Sequence, residues 1–252
     1  MNANPLRHGA YLCLRGTPRE LADAGIPALA ERVGLRNEFE SAGGDPPDAI
    51  AFLRRVSSTP GAVADEELAR ADAIVHVAST SAERVDAFCA SASSLFRTAP
   101  RVLRGAAGAR TYTSNAMHEY AYAGQVKQRA GSSMPNAFLL PMSKTAEWWA
   151  KDWMERHTYF LPRYDDAGRM LTQGHALAAA AGIPCLVRRT YRCEAQAYEF
   201  VNYFECSDDD VPTFHAVCAA LRDVAKNPEW KFVREGPTWH GRRVATWTDL
   251  FS

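Results

Sequence analysis

Asn136-Ala137-Phe138-Leu139-Leu140 decides the fold, because the chain has already made this run once, as Ala10-Tyr11-Leu12-Cys13-Leu14, 126 residues earlier. That offset is half of the 252-residue chain, and polar residues and a helical pattern follow both runs. At the same offset Ile74-Val75-His76-Val77 matches Phe200-Val201-Asn202-Tyr203, Phe88 matches Phe214 and Leu95 matches Leu221. Phe52-Leu53-Arg54-Arg55 resembles Leu186-Val187-Arg188-Arg189 at an offset of 134, a slip that an insertion in the second half explains. Self-similarity of this kind marks a repeated structural unit.

Each half reads β-α-β-β-α-β. Short apolar runs predict strands over 9–15, 50–58, 72–79 and 102–112, then over 135–141, 184–193, 197–206 and 230–235. Helices are expected over 18–35 and 82–97, from 144, and over 210–226. In the last of these, Phe214, Val217, Cys218 and Leu221 recur at i, i+3, i+4 and i+7 and define a buried stripe. Val85, Phe88, Cys89 and Ala92 play the same part in the helix that opens at Ser81. The fold class is therefore α+β: two ferredoxin-like βαββαβ halves whose antiparallel sheets pack into an α+β barrel. The expected division is an N-terminal half 1–112, a linker 113–133 and a C-terminal half 134–252.

Composition narrows the partners. Lys plus Arg (29) balances Asp plus Glu (29), so no net field favours nucleic acid or an acidic membrane. No apolar run approaches the roughly 20 residues that span a bilayer. The first residues carry too short an apolar stretch for a secretory signal, so a cytoplasmic location is expected. The six cysteines are scattered without a C-x-x-C pair, which reads as reduced thiols buried as small hydrophobes.

The chemistry is expected in Gly174 to Glu205, GHALAAAAGIPCLVRRTYRCEAQAYEFVNYFE. His175 stands in a helical segment, and Arg188 and Tyr191 follow on a strand-like run. Two readings fit that spacing. An imidazole on one wall and a guanidinium on a facing sheet make a cage for a flat cofactor. Equally, a partly buried histidine bonds a backbone carbonyl beside a surface arginine.

Lys144-Thr145-Ala146-Glu147-Trp148-Trp149, the spacing from His175 to Arg188 and Tyr191, Tyr203-Phe204-Glu205 and Val233-Arg234-Glu235-Gly236-Pro237 together resemble the chlorite dismutase superfamily of haem proteins. The resemblance covers about 135–245 and rests on the order of the motifs. It implies a dimeric α+β barrel whose C-terminal half is haem-binding, with haem b as cofactor and His175 as the ligand of its iron. Lys144 and a glutamate, for which Glu229 is the best candidate, would support that histidine. Arg188 falls on the mobile distal arginine of chlorite-degrading members. Trp148 and Trp149 fall on haem-pocket tryptophans, although aromatic residues at a helix start are equally ordinary core. Tyr112 falls near a haem propionate.

Three departures from the family bear on activity. Between Trp149 and His175 the chain carries about a dozen extra residues, including Arg156-His157 and Tyr159-Phe160-Leu161-Pro162, and a gapless alignment would put Arg163 or Tyr164 at the ligand position. Asn202 stands where chlorite-degrading relatives usually have a threonine. Leu140, in Leu140-Pro141-Met142, replaces the radical-forming tyrosine of coproheme decarboxylases, which argues against decarboxylation. The resemblance thus implies conversion of chlorite, or a related small oxyanion or peroxide, to chloride and dioxygen. Arg188 would steer the anion in and hold the departing hypochlorite. The substrate is expected to be small and anionic or peroxide-like, with no nucleic acid or membrane partner, and the assembly a homo-oligomer, a pentamer being favoured. The alternatives are a coproheme decarboxylase-like or other peroxidase-type haem enzyme, a haem carrier or sensor without turnover, and a cofactor-free barrel in which His175 is structural.

Overall fold

The computed structural model describes residues 7–40, 47–107, 134–193 and 197–252. The first half supplies β1 (Arg7–Leu14), β2 (Arg36–Asn37), β3 (Ala49–Thr59), β4 (Ala73–Ser79) and β5 (Arg101–Ala107). The second supplies β6 (Asn136–Lys144), β7 (Arg163–Tyr164), β8 (Met170–Thr172), β9 (Val187–Arg192), β10 (Phe200–Cys206), β11 (Val233–Glu235) and β12 (Thr238–Val244). Within the first half the order is β5-β1-β4-β3, and within the second β9-β10-β6-β12. Pairing of β5 with β9 and of β3 with β12 closes the two sheets into one eight-stranded antiparallel barrel. The two orders are the same ferredoxin-like order, as the internal repeat predicts.

The central barrel strands β1, β4, β6 and β10 are buried on both faces over most of their length. Ala10, Leu12 and Leu14 of β1 and Val75 and Val77 of β4 face outward onto Phe88, Cys89 and Ala92 of the helix Ala82–Ser93. Tyr11, Cys13 and Ile74 turn inward and meet Leu139, Tyr203 and Trp239 inside the barrel. Side chains alternate faces along a strand, so a strand covered on both sides reads as a continuous apolar run. In the second half the outer helix is Val211–Arg222, which buries Phe214, Val217 and Cys218 and leaves Leu221 part-exposed. All six cysteines are free, and burial pushes Cys13, Cys89, Cys193, Cys206 and Cys218 well above the usual thiol range.

The fourth strand of the second half is not where the sequence puts it. Residues 228–232 form a 3-10 turn, β11 is only three residues long and pairs with just the last residues of β6, and the place between β6 and β3 that closes the barrel belongs to β12. Trp239-His240-Gly241-Arg242-Arg243 offers no apolar run to mark a strand, although one of its arginines is buried. Arg243 lies inside the barrel, with Nη1 at 2.7 Å from Glu205 and Nη2 at 3.6 Å from Glu38. A bulge at His240/Gly241 further breaks the alternation, and the missing Cβ of Gly241 leaves room for the Trp239 ring.

Arg189 completes this buried network, donating to Glu38 and Glu205 at 3.1 Å each. Burial would raise the Glu38 carboxyl, but Arg189 and Arg243 bring it down to about 2. His76, stacked on Tyr11 at 4.5 Å, is pushed down to about 3 by burial and stays neutral. Glu38 belongs to the first half and both arginines to the second, so the four charges tie the halves together. The expected linker 113–133 and Tyr112 lie outside the described residues.

Removing one member of a buried charge network leaves its partners uncompensated, at about 3–5 kcal/mol. Glu38→Gln should therefore lower unfolding stability by about that amount at neutral pH, read by urea denaturation. Because the folded-state pKa of Glu38 is depressed, its contribution is present above the ordinary value of 4.5 and lost as pH falls towards about 2. The stability gap between wild type and variant should close over that window, and a gap independent of pH would contradict the assignment.

Candidate functional site

Outside the barrel, on the second half, an open pocket lies between the sheet and the helices. Its sheet wall is built by alternation: Leu140, Met142 and Lys144 from β6, Arg188 and Thr190 from β9, and Phe200, Asn202 and Phe204 from β10. Its helix wall carries His175, Ala176 and Ala179 from Gly174–Ala179 and Phe214, Val217 and Leu221 from Val211–Arg222. The lining is mostly apolar, with a few convergent polar groups, as a small-molecule or cofactor site requires.

Glu229 organises the polar end. It is buried in the 3-10 turn Pro228–Phe232 and accepts from His175 Nδ1 at 2.6 Å and from Lys144 Nζ. Burial by itself would raise this carboxyl, but Lys144 and His175 outweigh it and hold Glu229 well below the usual carboxylate range. With Nδ1 committed, the other ring nitrogen of His175 makes no hydrogen bond to the described residues. A histidine so held carries its proton on Nδ1 and its lone pair on Nε2, the arrangement of a metal-ligating imidazole.

The extra residues before His175 are what seat its helix. A helix leaves its first N–H groups without intrahelical partners. Here Gln173 and Gly174 donate to the Lys226 carbonyl at 2.8 and 3.2 Å, and His175 and Ala176 donate to the carbonyls of Tyr159 and Phe160 at 3.1 Å each. The Phe160 ring is buried 5.1 Å from the His175 ring. Arg163 and Tyr164 lie on the exposed hairpin β7–β8 and do not line the cavity.

The other expected residues divide. Lys144, Glu229, His175 and Arg188 line one cavity. Trp148 is fully buried among Tyr159, Phe160 and Phe232 with Lys144 Nζ 4.4 Å from its ring, so it backs the lysine and lies outside the lining. Trp149 donates from Nε1 to Glu199 at 2.8 Å, and Glu199 also accepts from the Lys144 amide at 2.9 Å. Tyr191 turns into the barrel, an odd number of residues from Arg188. Phe160, Thr190 and Glu199 were not foreseen from the sequence. Thr190 alone carried a signal, since two residues from Arg188 on one strand means the same face.

Gly174 has φ +65 and a Cβ there would collide with the Leu161 carbonyl. Gly174→Ala should cost on the order of 1–3 kcal/mol through this conformation, measured by urea denaturation. Unchanged stability would mean that the inserted segment does not clamp the helix.

No family model and no curated protein matches the sequence. Solved structures do match the fold. A mutant chlorite dismutase from Candidatus Nitrospira defluvii superposes with a TM-score of 0.68 at 19% identity, covering 97% of this chain and 94% of that one. The chlorite dismutase of the same organism in complex with imidazole gives 0.68 at 18% identity, covering 97% and 93%. A dimeric chlorite dismutase from Nitrobacter winogradskyi gives 0.55 at 20% identity, covering 77% of this chain and 99% of that one. The chain has the α+β barrel fold of the chlorite dismutases.

Proposed function

We propose that the chain is a haem b enzyme of the chlorite dismutase superfamily that acts on a small anionic or peroxide-like substrate, with His175 ligating the haem iron. The observation that carries this reading is the His175–Glu229–Lys144 chain at the wall of a mostly apolar pocket. The mostly apolar walls, one of sheet and one of helix with a few polar groups between them, are the lining that a flat macrocycle would take. When bound, haem supplies redox chemistry at iron.

The residues of the chain supply the rest. Glu229 fixes the tautomer and orientation of His175 and makes Nε2 the more electron-rich ligand. Lys144 compensates the buried carboxylate, and Trp148 holds Lys144 in place. On the facing wall Arg188 brings a cation that draws an anion in and retains an anionic leaving group. It lies over the Phe204 ring at 5.6 Å and donates to Asn202 at 3.1 Å. Leu140 lines the cavity where a decarboxylase carries its tyrosine, and an alkyl side chain gives up no hydrogen atom as a phenol does. Turnover of chlorite or of a related small oxyanion or peroxide is the class of activity that the resemblance and the Arg188 charge support together. Tyr112 as a propionate contact, division into halves at 113–133, a cytoplasmic location and a pentameric assembly belong to the same proposal. Among the described residues no helix is long and apolar enough to cross a membrane.

Titration of the purified chain with hemin tests this directly. A saturable Soret band at one haem per chain is expected, lost in His175→Ala while the fold remains. No Soret band in the wild type, or an unaltered one in His175→Ala, would overturn the reading. Supplied with iron coproporphyrin III and hydrogen peroxide, the wild type should release no propionate carboxyls by mass spectrometry; stoichiometric loss of two would mean another residue takes the role that Leu140 cannot.

A further inference from the structure

Asn202, which departs from the family's threonine, ties the polar groups of the sheet wall together. Its Oδ1 is 3.1 Å from Arg188 Nη2 and 2.7 Å from Thr190 Oγ1, and its Nδ2 is 3.2 Å from Met142 Sδ. The polarity of this network is forced. A guanidinium has only donors, so the Asn202 atom facing Arg188 is the carbonyl oxygen. That oxygen also faces Thr190, so the threonine hydroxyl must be the donor. A hydroxyl has one proton and two lone pairs, and the Thr190 proton is spent on Asn202. Towards the cavity, which both residues line, Thr190 is therefore an acceptor only.

Arg188 and Thr190, bonded to the same oxygen, sit side by side. They present a cation next to a hydrogen-bond acceptor. Chlorite carries negative charge but no proton, so it can engage Arg188 while its oxygens meet only lone pairs at Thr190. A hydroperoxide-type ligand, anionic and still bearing an O–H, satisfies both groups. We propose that the Asn202-oriented Thr190–Arg188 pair selects small hydroperoxide-type anions, which keep a proton of their own, over bare oxyanions such as chlorite. This rests on the haem reading above and names the substrate class of that site. Sites that hydrogen-bond a substrate hydroxyl discriminate well against analogues that lack it, because the protein group is then left unpaired.

Fluoride and hydroxide test the proposal, being anions of the same charge and electron count of which only hydroxide carries a hydrogen to donate. Each is titrated against the ferric haem-loaded protein by absorbance. Loss of one neutral hydrogen bond corresponds to about three- to tenfold in affinity. Thr190→Val should weaken hydroxide by that factor, raising its midpoint by about half to one pH unit, and leave fluoride within about twofold. Thr190→Ser should restore hydroxide binding, and Arg188→Ala should weaken both anions. Equal effects of Thr190→Val on the two, a larger effect on fluoride, or none on hydroxide would overturn the inference. The haem-free protein gives a second readout: by NMR, the Thr190 hydroxyl proton should be protected from exchange in the wild type and lose protection in Asn202→Leu. An unprotected wild-type proton overturns the inference while leaving the haem reading intact, whereas a chain that takes up no haem fails the reading beneath and this one with it.

Discussion

A single buried carboxylate holds the candidate site together. Glu229 joins a strand end, through Lys144, to a short helix, through His175, and neither link makes sense without the other. A carboxylate so buried would be costly with no charge beside it, and a lysine so buried equally so. Together they become tolerable, and the remaining carboxylate oxygen fixes the imidazole. The helix that carries His175 is only six residues long, too short to be stable by itself. It depends on carbonyls from the inserted segment and from Lys226 to satisfy its first N–H groups. The insertion is thus part of the site's framework and not an ornament of its edge.

Strand β9 is shared between this site and the core of the barrel. Arg188 and Thr190 face the cavity, while Arg189 and Tyr191 face the interior. A one-residue slip would exchange the two sets. The buried ion pairs of Arg189 with Glu38 and Glu205 oppose that slip, so charges on the inside determine which side chains appear on the outside. Arg189 and Arg188 are neighbours in sequence with opposite duties. Truncating Arg189 is expected to be read in stability, whereas on the proposed function truncating Arg188 is read in ligand affinity.

Much of this architecture was legible in the sequence. The repeat located matching strands because β1 and β6, and β4 and β10, bury both faces and must be apolar throughout. The stripes through Phe88 and Phe214 located the outer helices. Strand β12 was not legible, since Arg243 is buried by pairing with acidic residues distant in the chain, and no local pattern records a distant partner. The pocket aromatics were half legible: Trp148 supports Lys144 from behind, a relation that depends on tertiary packing. His175 and Arg188 were singled out by their spacing, Lys144 and Glu229 by the resemblance, and the four line one cavity. The polarity of the Asn202 network had no sequence signal, because it follows from which atoms meet.

The central claim is that Glu229 acts on iron through His175. Resonance Raman spectroscopy of the ferrous haem-loaded protein tests it most directly, through the iron–histidine stretch in the wild type and in Glu229→Gln. A carboxylate partner strengthens the donor character of the imidazole. The account therefore predicts an iron–histidine band in the wild type that moves to lower frequency in Glu229→Gln. Absence of that band, or a band that does not respond to the substitution, would contradict it.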